Sequence, residues 1–216
     1  MELLHYFIDL IRHLDAHLTE LLVRYDTWIY AIVFLVIFCE TGLVVTPFLP
    51  GDSLLFALGA LAAVDASGTL SPVYLVLLLC IAAILGDATN YSIGRATGVR
   101  AFSGRYRFIK VEYLRRTEGW FARYGAMTIV LARFAPIVRT FAPFVAGIAR
   151  MHYGRFQSYN VIGALLWVNI FIWAGYLVGN IPLIKDNFGF VTIAIILVSM
   201  APLVAMVFRK EPRAPA

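Results

Sequence analysis

The amino-acid sequence predicts an all-α, polytopic membrane protein: about four transmembrane helices, two opposed re-entrant helical hairpins related as an inverted repeat, and an N-terminal amphipathic interfacial helix. Three observations predict it. Of 216 residues, 61% are hydrophobic and 14% charged, with a mean hydropathy of +0.81, more apolar surface than one soluble core can hide. Several apolar runs are long enough to cross a bilayer. Two others are broken by proline, glycine and charge. The N-terminus has no basic n-region, and Asp9, Arg12 and Asp15 interrupt its apolar stretch, so a cleaved signal peptide is not expected. Cys39 and Cys80 both lie in apolar runs, where packing is expected rather than a disulfide or a metal pair.

Residues 1–26 carry Leu3, Phe7, Leu10, Leu14, Leu18 and Leu21 at helical spacing, opposite Asp9, Arg12, His13, Glu20 and Arg24. That pattern is an interfacial helix. His13 and His17 form an i, i+4 pair with no further ligand on their face, so no metal site is expected. Residues 27–208 form the membrane domain. Trp28 to Val45 is the first span, with Trp28 and Tyr30 as interfacial anchors. Thr46-Pro47-Phe48-Leu49-Pro50-Gly51-Asp52 and the short apolar run after it read as a re-entrant segment over about 46–66. Irregular backbone at that depth needs a protein or cavity lining. Pro72 to about Gly94 is the second span, with Gly86, Asn90 and Gly94 on one close-packing face.

Eight of the 18 lysines and arginines fall between Arg95 and Arg123, so this polar stretch is expected on the cytoplasmic side. The interrupted segment over about 124–147 holds Arg133, Pro136, Arg139 and Pro143 and is followed by Arg150, His152 and Arg155. The chain therefore returns to the side it left. Phe156 to Ile181 and Phe188 to Phe208 are the third and fourth spans, and residues 209–216 form a basic tail. Both termini are expected in the cytoplasm, with the re-entrant segments entering from opposite faces.

Five ionisable groups stand at or near membrane depth: Glu40, Asp52, Asp87, Arg133 and Arg139. A central charge costs roughly 2.5 to 3.5 kcal/mol on the insertion scale, so five unpaired ones would cost on the order of 12 to 17 kcal/mol. Opposite charges on facing segments offset one another and define a polar site. Glu40, late in a span, must either meet an arginine or carry a proton, which suits proton exchange. Asp52 follows Pro50-Gly51 and precedes a helical run, so a helix cap is an alternative reading. Asp87, beside Gly86, is either a packing acceptor or a participant. Arg133 and Arg139 would lie on different faces of an unbroken helix, but a kink at Pro136 turns both toward one pocket. Paired guanidiniums match phosphate oxygens. The alternative is that they only neutralise Glu40 and Asp52.

Four stretches carry a resemblance: Phe38–Leu54 (FCETGLVVTPFLPGDSL), Gly86–Arg95 (GDATNYSIGR), Ala132–Gly147 (ARFAPIVRTFAPFVAG) and Tyr159–Trp167 (YNVIGALLW). Together they resemble the DedA family, also called the SNARE-associated or VTT-domain group, and most of all its proteobacterial members. The resemblance implies a multi-pass inner-membrane protein with facing re-entrant hairpins, linked to undecaprenyl phosphate recycling and envelope homeostasis and dependent on the proton motive force. It implies functional acids at Glu40 and Asp52 and functional arginines at Arg133 and Arg139.

The resulting expectation is a flippase for undecaprenyl phosphate or a related anionic lipid. Arg133 and Arg139 would hold the phosphate, and Glu40 and Asp52 would exchange protons. Asp87, Pro47, Pro50, Gly51, Pro136 and Pro143 would support the site. Rival expectations are a proton-coupled exporter of small cations or drugs and an uncoupled scramblase. No enzyme is expected, because no histidine lies within a span to serve as a base. No cofactor and no nucleic acid are expected, and a homodimer is left open.

Overall fold

A computed structural model describes residues 28–43, 51–65, 68–98 and 111–181, and among these every regular element is helical. They are α1 (Trp28–Gly42), α2 (Gly51–Val64), α3 (Pro72–Thr97), α4 (Val111–Tyr124), a 3-10 turn (Gly125–Met127), α5 (Thr128–Ala132), α6 (Pro136–Ile148) and α7 (Tyr153–Gly179). The interfacial helix expected over 1–26, the span over 188–208, the tail, Pro47 and Pro50 lie outside the described residues. α3 and α7 have 26 and 27 residues, and at 1.5 Å per residue each is about 40 Å long, enough for a hydrocarbon core of about 30 Å. α1, with 15 described helical residues, is apolar but shorter.

The chain forms two compact units. In the first, α2 packs against the end of α7. A side chain on Gly59 would strike the Ile172 carbonyl, one on Gly175 the Phe56 carbonyl and one on Gly179 the backbone of Ala60. Backbones that approach this closely gain van der Waals contact where lipid is as apolar as leucine and the hydrophobic effect is absent.

The second unit holds α1, α3 to α6 and most of α7. α3 is its axis. It starts at a Ser71 cap followed by Pro72, an arrangement that satisfies one of the orphan N–H groups and fixes φ for the first turn. Its inward face carries Leu75, Leu79, Ala82, Ala83, Gly86, Asp87, Asn90, Tyr91 and Gly94, all buried. Its outward face shows Val73, Leu77, Ile81, Leu85 and Ile93, all exposed. An apolar exterior over an interior with charge and amide is the reverse of a soluble helix, and it is what a lipid solvent selects. The Gly86 face admits α1, because a Cβ there would meet the Thr41 hydroxyl and the Phe38 carbonyl. The Gly94 face admits α6, at the Phe144 carbonyl.

Two expectations are corrected. The polar stretch from Arg95 to Arg123 is not loop throughout: α3 continues to Thr97, and α4 is an amphipathic helix. Its Leu114 and Thr117 are fully buried while Glu112, Arg115, Arg116 and Glu118 are exposed, and Leu114 joins Phe141, Phe144 and Val145 of α6 in one cluster. Five charged residues around a narrow buried stripe hid that period. The kink expected at Pro136 is a full break over residues 133–135. Ala135 is extended (φ −120°, ψ 103°) and Pro136 opens α6, because proline excludes the α conformation from the residue before it and suits the first position of a new helix.

Gly86→Leu is expected to destabilise the protein by about 1 to 3 kcal/mol through overpacking, seen as an earlier thermal unfolding midpoint in detergent micelles. Gly119→Ala, where a Cβ meets nothing within 4 Å, is expected to leave the midpoint unchanged or raise it.

Candidate functional site

The second unit gathers four of the five expected charges into two ion pairs. Glu40 is in the last turn of α1 and Arg139 in the first turn of α6. Arg139 Nη2 donates to Glu40 Oε1 at 2.5 Å. Asp87, midway along α3, accepts from Arg133 Nη2 at 2.5 Å. Arg133 lies in the break between α5 and α6, where the interrupted backbone frees it from any helix face. Asp87, which the sequence leaves as either a packing acceptor or a participant, is the acid that meets Arg133. Asp52 stands in the first turn of α2, in the other unit, where a carboxylate complements the positive helix end. Gly51 is the first residue of that helix.

The pairs differ in access. The Arg133 and Asp87 side chains are 2% and 5% exposed, whereas Arg139 retains 10%. Arg133 Nη2 also donates to Asn160 Oδ1 at 2.7 Å, and Asn160 Nδ2 donates in turn to the Ile84 carbonyl of α3. Arg133 Nε and Nη1 are buried and make no hydrogen bond among the described residues. An arginine presents five N–H donors, so this guanidinium keeps donor capacity aimed into the interior.

One indole joins the two cations. Trp167 of α7 is fully buried, and its ring centroid lies 5.7 Å from Arg133 Cζ and 5.2 Å from Arg139 Cζ. Both distances are within the range at which the ring quadrupole attracts a guanidinium. Gly163, one turn earlier on α7, leaves room for Arg133: a Cβ there would lie 3.0 Å from its Nε. Pro143, inside α6, supplies no N–H to the Arg139 carbonyl one turn before it. In the sequence, Asn160, Gly163 and Trp167 stand out only as parts of the Tyr159–Trp167 stretch. Nothing in their composition announced contact with the arginines.

The apolar exterior bears on the setting of these charges, and so does likeness to other proteins. Residues 49–177 match the VTT domain, and the chain is 52% identical over 212 residues to Protein DedA of Escherichia coli K12, covering 98% of this chain and 96% of that protein. The chain belongs to the DedA family. An uncharacterized membrane protein of Mycobacterium tuberculosis H37Rv is 40% identical over 190 residues, 85% of this chain and 82% of its own. The inner membrane protein YqjA of Escherichia coli K12 is 36% identical over 155 residues, 71% of this chain and 69% of its own. No solved structure matches the chain. This DedA-family chain is thus a membrane protein, and Glu40, Asp87, Arg133 and Arg139 cluster inside its second unit.

Removing one member of a buried pair leaves an uncompensated charge and costs about 3 to 5 kcal/mol, while replacing both with apolar groups is often close to neutral. Asp87→Ala and Arg133→Met are each expected to lower the unfolding midpoint sharply. The double variant is expected to recover most of the loss in the same thermal scan.

Proposed function

We propose that this DedA-family protein is a flippase that carries undecaprenyl phosphate, or an anionic lipid of the same headgroup chemistry, across the inner membrane under the proton motive force. The observation that carries this reading is the convergence of Arg133 and Arg139 on Trp167. Two permanent cations held side by side in an apolar interior make an anion site, and phosphate suits the planar fork of each guanidinium. Arg133 brings donors not engaged by Asp87. Arg139 is the more accessible of the two, and its carboxylate partner is exchangeable.

In this reading the headgroup enters between the arginines and displaces Glu40 from Arg139. Glu40 takes up a proton as it leaves, and the negative charge so removed offsets one of those that the lipid phosphate brings in. The isoprenoid tail remains in the bilayer. Release of the lipid on the other side restores the Glu40–Arg139 pair and returns the proton to water, with Asp52 as the second proton-carrying acid. One charge crossing 100 mV supplies about 2.3 kcal/mol, enough to bias such a cycle more than about tenfold.

The proposed topology has four spans and two facing re-entrant segments, with both termini cytoplasmic. Exposed Arg115, Arg116 and Arg123 on α4 and exposed Arg150 and Arg155 before and at the start of α7 support a cytoplasmic position for that end of the unit. They also suit anionic headgroups there.

The test is reconstitution of the wild type, Arg139→Ala and Glu40→Gln in liposomes with an imposed pH gradient, following transbilayer movement of labelled undecaprenyl phosphate. Loss of one charge-assisted contact is expected to slow Arg139→Ala by about tenfold or more. Glu40→Gln is expected to move lipid at a rate indifferent to the gradient. A wild type that moves no lipid under any gradient would sink the proposal and leave small-cation export as the leading account.

A further inference from the structure

Asn90 is fully buried on the inward face of α3, and its side chain donates to backbone carbonyls. Its Nδ2 donates to the Thr41 carbonyl at 3.0 Å and to the Thr140 carbonyl at 2.9 Å. Both acceptors are oxygens, so the amide nitrogen must be the end that faces them, and both of its hydrogens are used. Thr41 directly follows Glu40 on α1, and Thr140 directly follows Arg139 on α6. A single short side chain on a third helix therefore ties the two backbones that present the Glu40–Arg139 pair, each at the residue next to the charge.

We infer that Asn90 is a positioning residue that sets the distance and register of the Glu40–Arg139 pair. It rests on the transport reading above for what that pair does, but not for how the pair is held. The chemistry singles out asparagine. Aspartate at the same place would offer only acceptors to two carbonyls, serine would offer one donor, and glutamine would be one methylene too long for the Gly86 and Gly94 approaches on either side of it. Those glycines bring α1 and α6 close enough to α3 for one amide to reach both. Asn160 makes the complementary arrangement, since it grips the Arg133 guanidinium itself and anchors to α3 through the Ile84 carbonyl. One pair is thus fixed through its side chain and the other through its backbone. Fixing through backbone leaves the Arg139 guanidinium and the Glu40 carboxylate able to part while their helices stay in place, which is what an exchangeable pair requires.

The experiment uses the full chain in liposomes and reads the rate at which dicyclohexylcarbodiimide labels Glu40, located by peptide mass spectrometry. A protonated carboxyl group adds to the carbodiimide carbon with its proton passing to nitrogen, and a carboxylate held by arginine has no such proton to give. Arg139→Ala sets the upper limit. Asn90→Ala and Asn90→Asp are expected to raise the labelling rate about fivefold or more over wild type, and Asn90→Ala is expected to add nothing in the Arg139→Ala background, the non-additivity of residues that act through one interaction. Thr128→Ala, which removes a different, part-buried hydrogen bond, to the Trp120 carbonyl, is expected to leave Glu40 labelling at the wild-type rate. Wild-type labelling in both Asn90 variants, an equal rise in the Arg139→Ala background, or a rise of the same size in Thr128→Ala would each overturn the inference. So would failure of both Asn90 variants to fold, which assigns the residue to the fold alone. Lipid movement measured on the same liposomes separates the two readings. A wild type that moves no lipid while the labelling pattern holds defeats transport and leaves the positioning role standing.

Discussion

A guanidinium inside an apolar bundle has no protonation state in which it is neutral at physiological pH. It must meet an anion, and the anion must be placed where the backbone brings it. The second unit is built around that requirement. α3 carries Asp87 to Arg133, α1 carries Glu40 to Arg139, and the helices can approach only because Gly86 and Gly94 have no side chain. Exchange either glycine for a larger residue and α1 or α6 retreats by an atom's width. The Asn90 amide, with its short reach, is the element least able to follow.

The break at 133–135 answers the same requirement from the arginine side. Arg133 and Arg139 are six positions apart, which at about 100° per residue on one continuous helix turns them about 120° apart. Ending α5 at Ala132 and restarting at Pro136 removes that constraint, and both guanidiniums then reach Trp167. Gly125, at φ +56°, does similar service earlier, since only a residue without Cβ adopts that conformation at no steric cost. There it closes α4 and lets the chain turn into the 3-10 segment.

Much of this was legible in the sequence because charge in an apolar run is conspicuous. Glu40, Arg133 and Arg139 stood out on cost alone, and the two longest of the described helices followed from hydropathy, with α7 beginning three residues earlier than expected, at Tyr153. What was not legible was partnership. Asp87 reads equally well as a packing acceptor, and its assignment to Arg133 depends on the crossing of α3 with the break, a long-range fact. Asn90 sits among small residues and reads as part of their face. Trp167 reads as one more apolar residue in an apolar helix. α4 was lost for the opposite reason, because its charges outnumber the few buried positions that define its period.

The exposed row Val73, Leu77, Ile81, Leu85 and Ile93 has a different consequence. A row that faces lipid need only be apolar, whatever its shape, whereas positions such as Gly94 and Asn90 are defined to within an atom. The helix thus carries two alphabets on one backbone, a loose one outside and a strict one inside. Sequence drift has a wide outer surface on which to accumulate without disturbing any internal distance, so a lineage can adapt to bilayers of different composition while its interior chemistry stands still.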